Sequence, residues 1–168
     1  MVAEAAGVSI GLVQHCFKTK AALVTAVDHY VLQIIRDGLG AAAMPDAPAE
    51  ALDEAGKRMT KVTADHPLAM EYLAHALCEG GDVGTVVFDG LVGICTAQRD
   101  HFREQGWLRS DLDPLWAVLN PLILRAGAFI LRPHIERYLG EPFFTDTQLQ
   151  RWDDSVTQAL RDGQFRQL

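Results

Sequence analysis

Apolar residues recur along this chain at three- and four-residue intervals, the period of an α-helix, in segments divided by glycine and proline. From Lys20, KAALVTAVDHYVLQIIRDGLG sets Leu23, Val27, Tyr30, Val31 and Ile34 on one face and stops at Gly38 and Gly40. After the loop AAAMPDAP a helix is predicted from Ala49 to Ala64, ended by His66 and Pro67. A shorter one runs from Leu68 to Cys78, with Met70, Leu73, Ala74 and Leu77 on its stripe, and EGGD closes it. Between Asp82 and Gln105 the apolar face carries Val83, Val87, Leu91, Ile94, Cys95 and Phe102, with Gln98 among them. Asp113 caps and Pro114 opens a helix to Tyr138 that is apolar nearly all round, which predicts a central position and kinks at Pro121 and Pro133. The last helix, Asp146 to Arg161, bears Leu149, Trp152, Val156 and Leu160 on one stripe. No hairpin signal and no long alternating run interrupts this order, so the expected class is all-α.

With 168 residues, 49% of them hydrophobic, the chain can bury a substantial core. The apolar stretch from Leu115 to Leu131 contains Asn120, Pro121 and Arg125 and reads as a buried helix, not a membrane span. Residues 1–20 lack the basic start and apolar core of a secretory signal, so a cytoplasmic protein without a membrane partner is expected. Cys16, Cys78 and Cys95, odd in number and without C-x-x-C spacing, fit reduced thiols. The net charge of −7 lies entirely in residues 41–168, because residues 1–40 are neutral on balance. That division permits a local phosphate contact at Lys18 and Lys20 in an otherwise acidic protein.

The segment AAGVSIGLVQHCF contains G-x-S-x-G, the spacing of a nucleophile elbow, around Ser9. An elbow needs a buried strand before it, and MVAEAA favours helix. The same letters make a helix-turn-helix corner. A helix from Val2 to Ala6 ends at Gly7, Val8 packs inward, and Ser9 caps a second helix through Phe17. Val13 and Phe17 then face the core, while Gln14 and His15 face away.

VAEAAGVSIGLVQHCFKTKAALVTAVDHYV, from Val2 to Val31, resembles the DNA-binding segment of the tetracycline-repressor (TetR) family of bacterial transcription regulators, with its A-G-V-S turn, its phenylalanine and its [ST]-K pair. The resemblance implies a partial helix-turn-helix domain with its connecting helix in residues 1–40, an effector-binding and dimerisation domain in residues 41–168, and double-stranded operator DNA as partner. It also implies that Ser9, Thr19 and Lys20, with Lys18 beside them, touch phosphate, and that Ile10, Gly11, Gln14 and His15 lie near bases. The chain departs from the pattern at Gln14 and Cys16, where the family carries tyrosine and histidine, and at Lys18, where it commonly carries proline. The family's first helix has no counterpart before Val2, which predicts weak DNA binding by this form.

Ligand cavities in helical domains are apolar with a few convergent polar groups. On that criterion the candidate effector-binding residues are Met59, Met70, Tyr72, Leu73, Gln98, Trp116, Asn120 and Ile123, and the expected effector is a small apolar organic molecule. The family layout pairs the last two long helices with their copies in a homodimer, and the stripe Leu149, Trp152, Val156 and Leu160 is the candidate interface. His75 and Cys78 are spaced to share a metal but lack a third ligand, and no cofactor motif or acid/base pair is present, so neither metal, cofactor nor catalysis is expected. The leading reading is a ligand-released repressor. A dimeric sensor that does not bind DNA is the alternative, and an enzyme on a helical scaffold is a third.

Overall fold

A computed structural model describes residues 2–40 and 42–166. Among the described residues the elements are α1 (Val2–Ala5), α2 (Ile10–Cys16), α3 (Lys20–Leu39), α4 (Pro48–Asp65), α5 (Pro67–Glu79), α6 (Gly81–Glu104), α7 (Trp116–Ile130), α8 (Arg132–Leu139) and α9 (Asp146–Gln164), with no strand. The class is all-α, and an isolated bridge between Leu108 and Phe165 is the extended pairing present. No described helix is long and apolar enough to cross a membrane.

Local chemistry sets the boundaries. Gly7 takes a φ of 65° after α1, a conformation that side chains with a Cβ avoid. Ser9 Oγ accepts from Leu12 N at 3.1 Å and Thr19 Oγ1 from Ala22 N at 3.0 Å, so α2 and α3 both begin on side-chain caps. Pro48 opens α4, and the His66-Pro67 pair ends α4 and starts α5. Asp113 Oδ1 accepts from the backbone N–H groups of Leu115 and Trp116, each at 2.9 Å, ahead of α7. The helix expected from Pro114 to Tyr138 is two helices. Pro121 stays inside α7, but the chain breaks at Leu131, and Pro133 sits in the first turn of α8, where its missing N–H is tolerated.

Two hydrophobic clusters hold the body together. The larger joins Val31, Leu32 and Ile35 of α3 to Met59, Met70, Leu73, Val87, Leu122, Phe129 and Leu149. The smaller joins Ala51, Leu52, Phe102, Leu108, Val156, Leu160 and Phe165. Helix α3 fits between α4 and α6 because glycines stand at the crossings: a Cβ on Gly38 would strike Val62, and one on Gly90 would strike Leu32. The buried face of α3 differs from the expected one. Tyr30 is 65% exposed, while Asp28 is buried and accepts a 2.6 Å hydrogen bond from Tyr72 Oη on α5.

A buried arginine and a half-buried one complete the frame. Arg58 of α4 donates to the carbonyls of Leu39, Ala42 and Ala43 at 2.8, 2.9 and 3.1 Å and pairs with Glu54 at 2.8 Å, fastening the α3–α4 loop. Arg125 of α7 donates to Asp153 of α9 at 3.0 Å.

Candidate nucleic-acid interface and ligand cavity

On α2, Ile10, Gly11, Gln14 and His15 fall within an arc of roughly 140°, given the 100° per residue of an α-helix. All four are exposed, Ile10 at 64%, as are Ser9, Lys18, Thr19 and Lys20. The hydroxyl oxygens of Ser9 and Thr19 are occupied as caps, but each O–H remains able to donate to an anion. Ser9 follows a helix, α1, and not the strand that a nucleophile elbow needs before it. Behind this edge Val13 and Phe17 are half-buried, as their i, i+4 spacing requires. Val8 corrects the expectation that it packs inward: it is 39% exposed, and Val2 and Leu12 are exposed with it. Helices α1 and α2 touch the remaining helices only sparsely, so these side chains have little to pack on.

A cavity of about 100 Å³ lies between α3, α4, α5, α6, α7 and α9. Its wall is mostly apolar, with Ile35 and Leu39 of α3 and Leu73 and Leu77 of α5 on one side and Leu160 and Phe165 on another. Polar groups enter from Gln98 and Arg99 of α6, Arg125 of α7 and Gln164 of α9. The Cys95 thiol, also on the wall, is pushed up to about 11 by burial against the smaller opposing pull of Arg125, so it is a neutral thiol at physiological pH. Asp153, which holds Arg125 from behind, is shifted upward from the usual carboxylate range because the loss of hydration outweighs the attraction of Arg125.

Over 130 residues, 77% of the chain, the sequence is 29% identical to the "HTH-type transcriptional regulatory protein RaaS" of Mycobacterium tuberculosis. This chain is similar to a helix-turn-helix transcriptional regulator. The match covers 59% of that relative, so the chain spans about three-fifths of the length of the curated protein it matches. No protein-family model matches the chain.

Of the residues expected to bind an effector, Met59, Leu73 and Gln98 do line the cavity. Met70 does not, because it is packed at 0% exposure in the larger cluster, and Tyr72 is turned toward Asp28. Trp116, Asn120 and Ile123 line a separate cleft and not this cavity. They share a face of α7, as their spacing says, but it is the outer face, where Trp116 and Ile123 are each 52% exposed. The face of α7 turned to the cavity is Ala117, Pro121, Leu122, Arg125, Ala126 and Phe129.

The expected dimer stripe is also corrected. Leu149, Val156 and Leu160 are buried within the chain itself, and Trp152 stacks edge-on against Phe129 and Phe143 while Arg125 lies 5.6 Å over its ring. The strongest apolar stripe of α9 builds the protein's own core. Most of what α9 leaves outside is polar, but Ala159 and Gly163 border a cleft of about 420 Å³ whose other wall includes Trp116, Asn120, Ile123 and Leu124. His75 pairs with Glu79 at 3.4 Å, and among the described residues no group of three acidic, His or Cys side chains is arranged to hold a metal ion.

Proposed function

We propose that this chain is a DNA-binding transcriptional regulator of the TetR type, a homodimeric repressor that reads an operator through α2 and is released by a small, largely apolar organic ligand. The observation that carries the reading is the α1–Gly7–α2 corner, whose capped second helix turns Ile10, Gly11, Gln14 and His15 outward beside Lys18 and Lys20. Similarity to a helix-turn-helix regulator over most of the chain supports it. Gln14 is the group suited to a base edge, since its amide matches the donor and acceptor of adenine. Ser9, Thr19 and Lys20 are suited to phosphate. The cavity, with its apolar wall and few polar groups, supports ligand control. In this reading the protein binds and does not catalyse.

The dimer seam is assigned to the outer face of α7 and the small residues of α9. Trp116, Ile123 and Leu124 form an apolar strip at the surface, and Ala159 and Gly163 let a second helix approach closely. A two-fold pairing of α7 and α9 with their copies covers all of these at once. The test is an electrophoretic or anisotropy shift with the DNA flanking the gene. Specific binding that weakens steeply with salt and is lost in Gln14→Ala supports the reading, and no specific binding at low salt overturns it.

A second reading is favoured by the exposed Val2, Val8, Ile10 and Leu12, which leave α1 and α2 poorly held in this chain. It is a dimeric ligand sensor that does not bind DNA. A dimer that takes up ligand but shifts no DNA would select it.

A further inference from the structure

Among the described residues the wall of the cavity carries two arginines and no acidic residue. Arg99 enters from α6 and Arg125 from α7. Each has a carboxylate nearby, but neither is saturated. Arg125 uses one Nη1 bond to Asp153, leaving most of its five donors unspent. The Arg99 Nε lies 3.2 Å from Asp100 Oδ1, yet it is misaligned, so Nε is buried with no hydrogen-bond partner. Asp100 Oδ1 is likewise buried with no hydrogen-bond partner and is shared at 3.5 Å with Arg103, so Arg99 does not have this carboxylate to itself. A buried guanidinium donor without an acceptor is costly, and a ligand oxygen anion is the group that removes the cost.

We infer that the cavity takes a ligand with one carboxylate on a narrow apolar body, the carboxylate meeting Arg99 and Arg125 and the body lying along Leu73, Leu77 and Ile35. This deepens the proposed ligand control, on which it rests, by naming the head group. The sign of the charge follows from the wall: an ammonium ligand would meet two guanidinium groups and no acid. The number of charges follows from Asp153 and Asp100, which already balance part of the positive charge and leave room for a monoanion rather than a phosphate dianion. The width follows from the volume. A cavity of about 100 Å³ is smaller than the ~150 Å³ that houses a benzene ring, so a single alkyl chain enters with a small widening of the cavity and a fused ring system needs a much larger one. Gln98 and the neutral Cys95 thiol complete a wall that tolerates an uncharged body.

The test uses three probes with one chain and three heads: hexanoate, 1-hexanol and hexylamine, titrated into the DNA-free protein by calorimetry, with indole fluorescence as a second readout because Trp152 adjoins Arg125. The expected order is hexanoate about tenfold or more tighter than hexanol, with hexylamine weakest, as charge-assisted hydrogen bonds imply. Arg99→Gln should bring hexanoate down to the level of hexanol and leave hexanol unchanged. Arg125 is coupled to a buried acid, so it is changed together with its partner, as Arg125→Met with Asp153→Leu, which keeps the interior charge balanced. That pair should also erase the head-group preference. Hexanol binding as tightly as hexanoate, a preference that survives both variants, or no binding by any probe overturns the inference. No DNA is present in these titrations, so such a failure leaves the DNA-binding proposal standing, just as a null DNA shift leaves the carboxylate site standing.

Discussion

Gly56 sets helix propensity against packing, and the structure says which wins. It lies in α4, facing α9, where a Cβ would strike the Asp153 carboxylate, approaching Oδ1 at 2.6 Å and Cγ at 2.8 Å. Propensity alone favours alanine over glycine in a helix interior by about 1 kcal/mol. Against this, overfilling a packed site costs roughly 1–3 kcal/mol, and moving the carboxylate away from Arg125 breaks a buried ion pair whose loss costs up to about 3–5 kcal/mol. Asp153 is 3% exposed and its bond to Arg125 spans two helices, so turning the carboxylate away from the new Cβ breaks that bond. Gly56→Ala should therefore destabilise by about 2–4 kcal/mol, the ion-pair loss less the propensity gain. Gly93→Ala in α6 is the control, since its Cβ meets nothing within 4 Å, and it should stabilise by about 0.5–1 kcal/mol. Urea denaturation followed by circular dichroism measures both. A Gly56→Ala protein as stable as the parent, beside a stabilised Gly93→Ala, would show that Asp153 yields freely and that the α4–α9 contact is looser than described.

Four further outcomes are expected. Trp116→Asp should give a folded monomer in sedimentation at micromolar concentration, whereas Trp152→Asp should unfold the chain, because Trp152 packs among Phe129 and Phe143. Gln14→Ala should lower affinity for the specific operator by about 1–3 kcal/mol at an unchanged salt slope, while Lys20→Ala should weaken all sequences alike and reduce that slope by about one. Ultraviolet titration should find a tyrosine that ionises only near pH 12, because Tyr72 is pushed up to about 12 by burial and by its bond to Asp28. Its native value is the raised one, so stability is lost as pH climbs from the ordinary tyrosine value through 12, and Tyr72→Phe should remove that loss. Asp153 is also raised in the fold, so the unfolded chain gives up this proton first and stability falls as pH rises above the ordinary aspartate value; Asp153→Asn should flatten that part of a stability–pH profile.

Turns and caps were legible in the sequence because they depend on one or two residues at fixed offsets. Gly7, Ser9, the His66-Pro67 pair and Asp113 all act where they stand in the chain. Which face of a helix turns inward is a property of its neighbours, and there the sequence was ambiguous. Helix α7 is apolar nearly all round, so a helical wheel cannot separate the Trp116–Asn120–Ile123 side from the Ala117–Pro121–Arg125 side. In α9 the strongest stripe was read as an interface, although a chain uses its largest apolar surface first for its own core. One buried and one half-buried charge escaped notice despite a usable signal. Asp28 is three, four and seven residues before the buried Val31, Leu32 and Ile35, and Arg99 is four and eight residues beyond Cys95 and Leu91, so both occupy positions that the apolar period assigns to the interior.

Helix α3 joins the two candidate sites, and its fastenings constrain how a ligand could act on DNA. Its 20 residues span about 30 Å, from the Thr19 cap beside Lys18 to Ile35 and Leu39 on the cavity wall. Arg58 grips the far end through the Leu39 carbonyl, and the Asp28–Tyr72 bond ties the near half to α5. A rigid helix pivoting at Asp28 delivers at Lys20 roughly 0.7 of any displacement at Leu39, since eight residues lie on one side of the pivot and eleven on the other. So α3 transmits motion without enlarging it. In the proposed dimer, amplification would come from a small tilt of each subunit about the α7–α9 seam, which would change the separation of two α2 helices meant to fit half-sites one helical turn apart. A ligand drives such a change only by its differential affinity for two arrangements, typically about 1–3 kcal/mol. The cavity supplies a source for that difference: at about 100 Å³ it lies below the range of roughly 300–1,000 Å³ that drug-sized ligands occupy, so a ligand larger than the cavity is housed only when the helices around it part.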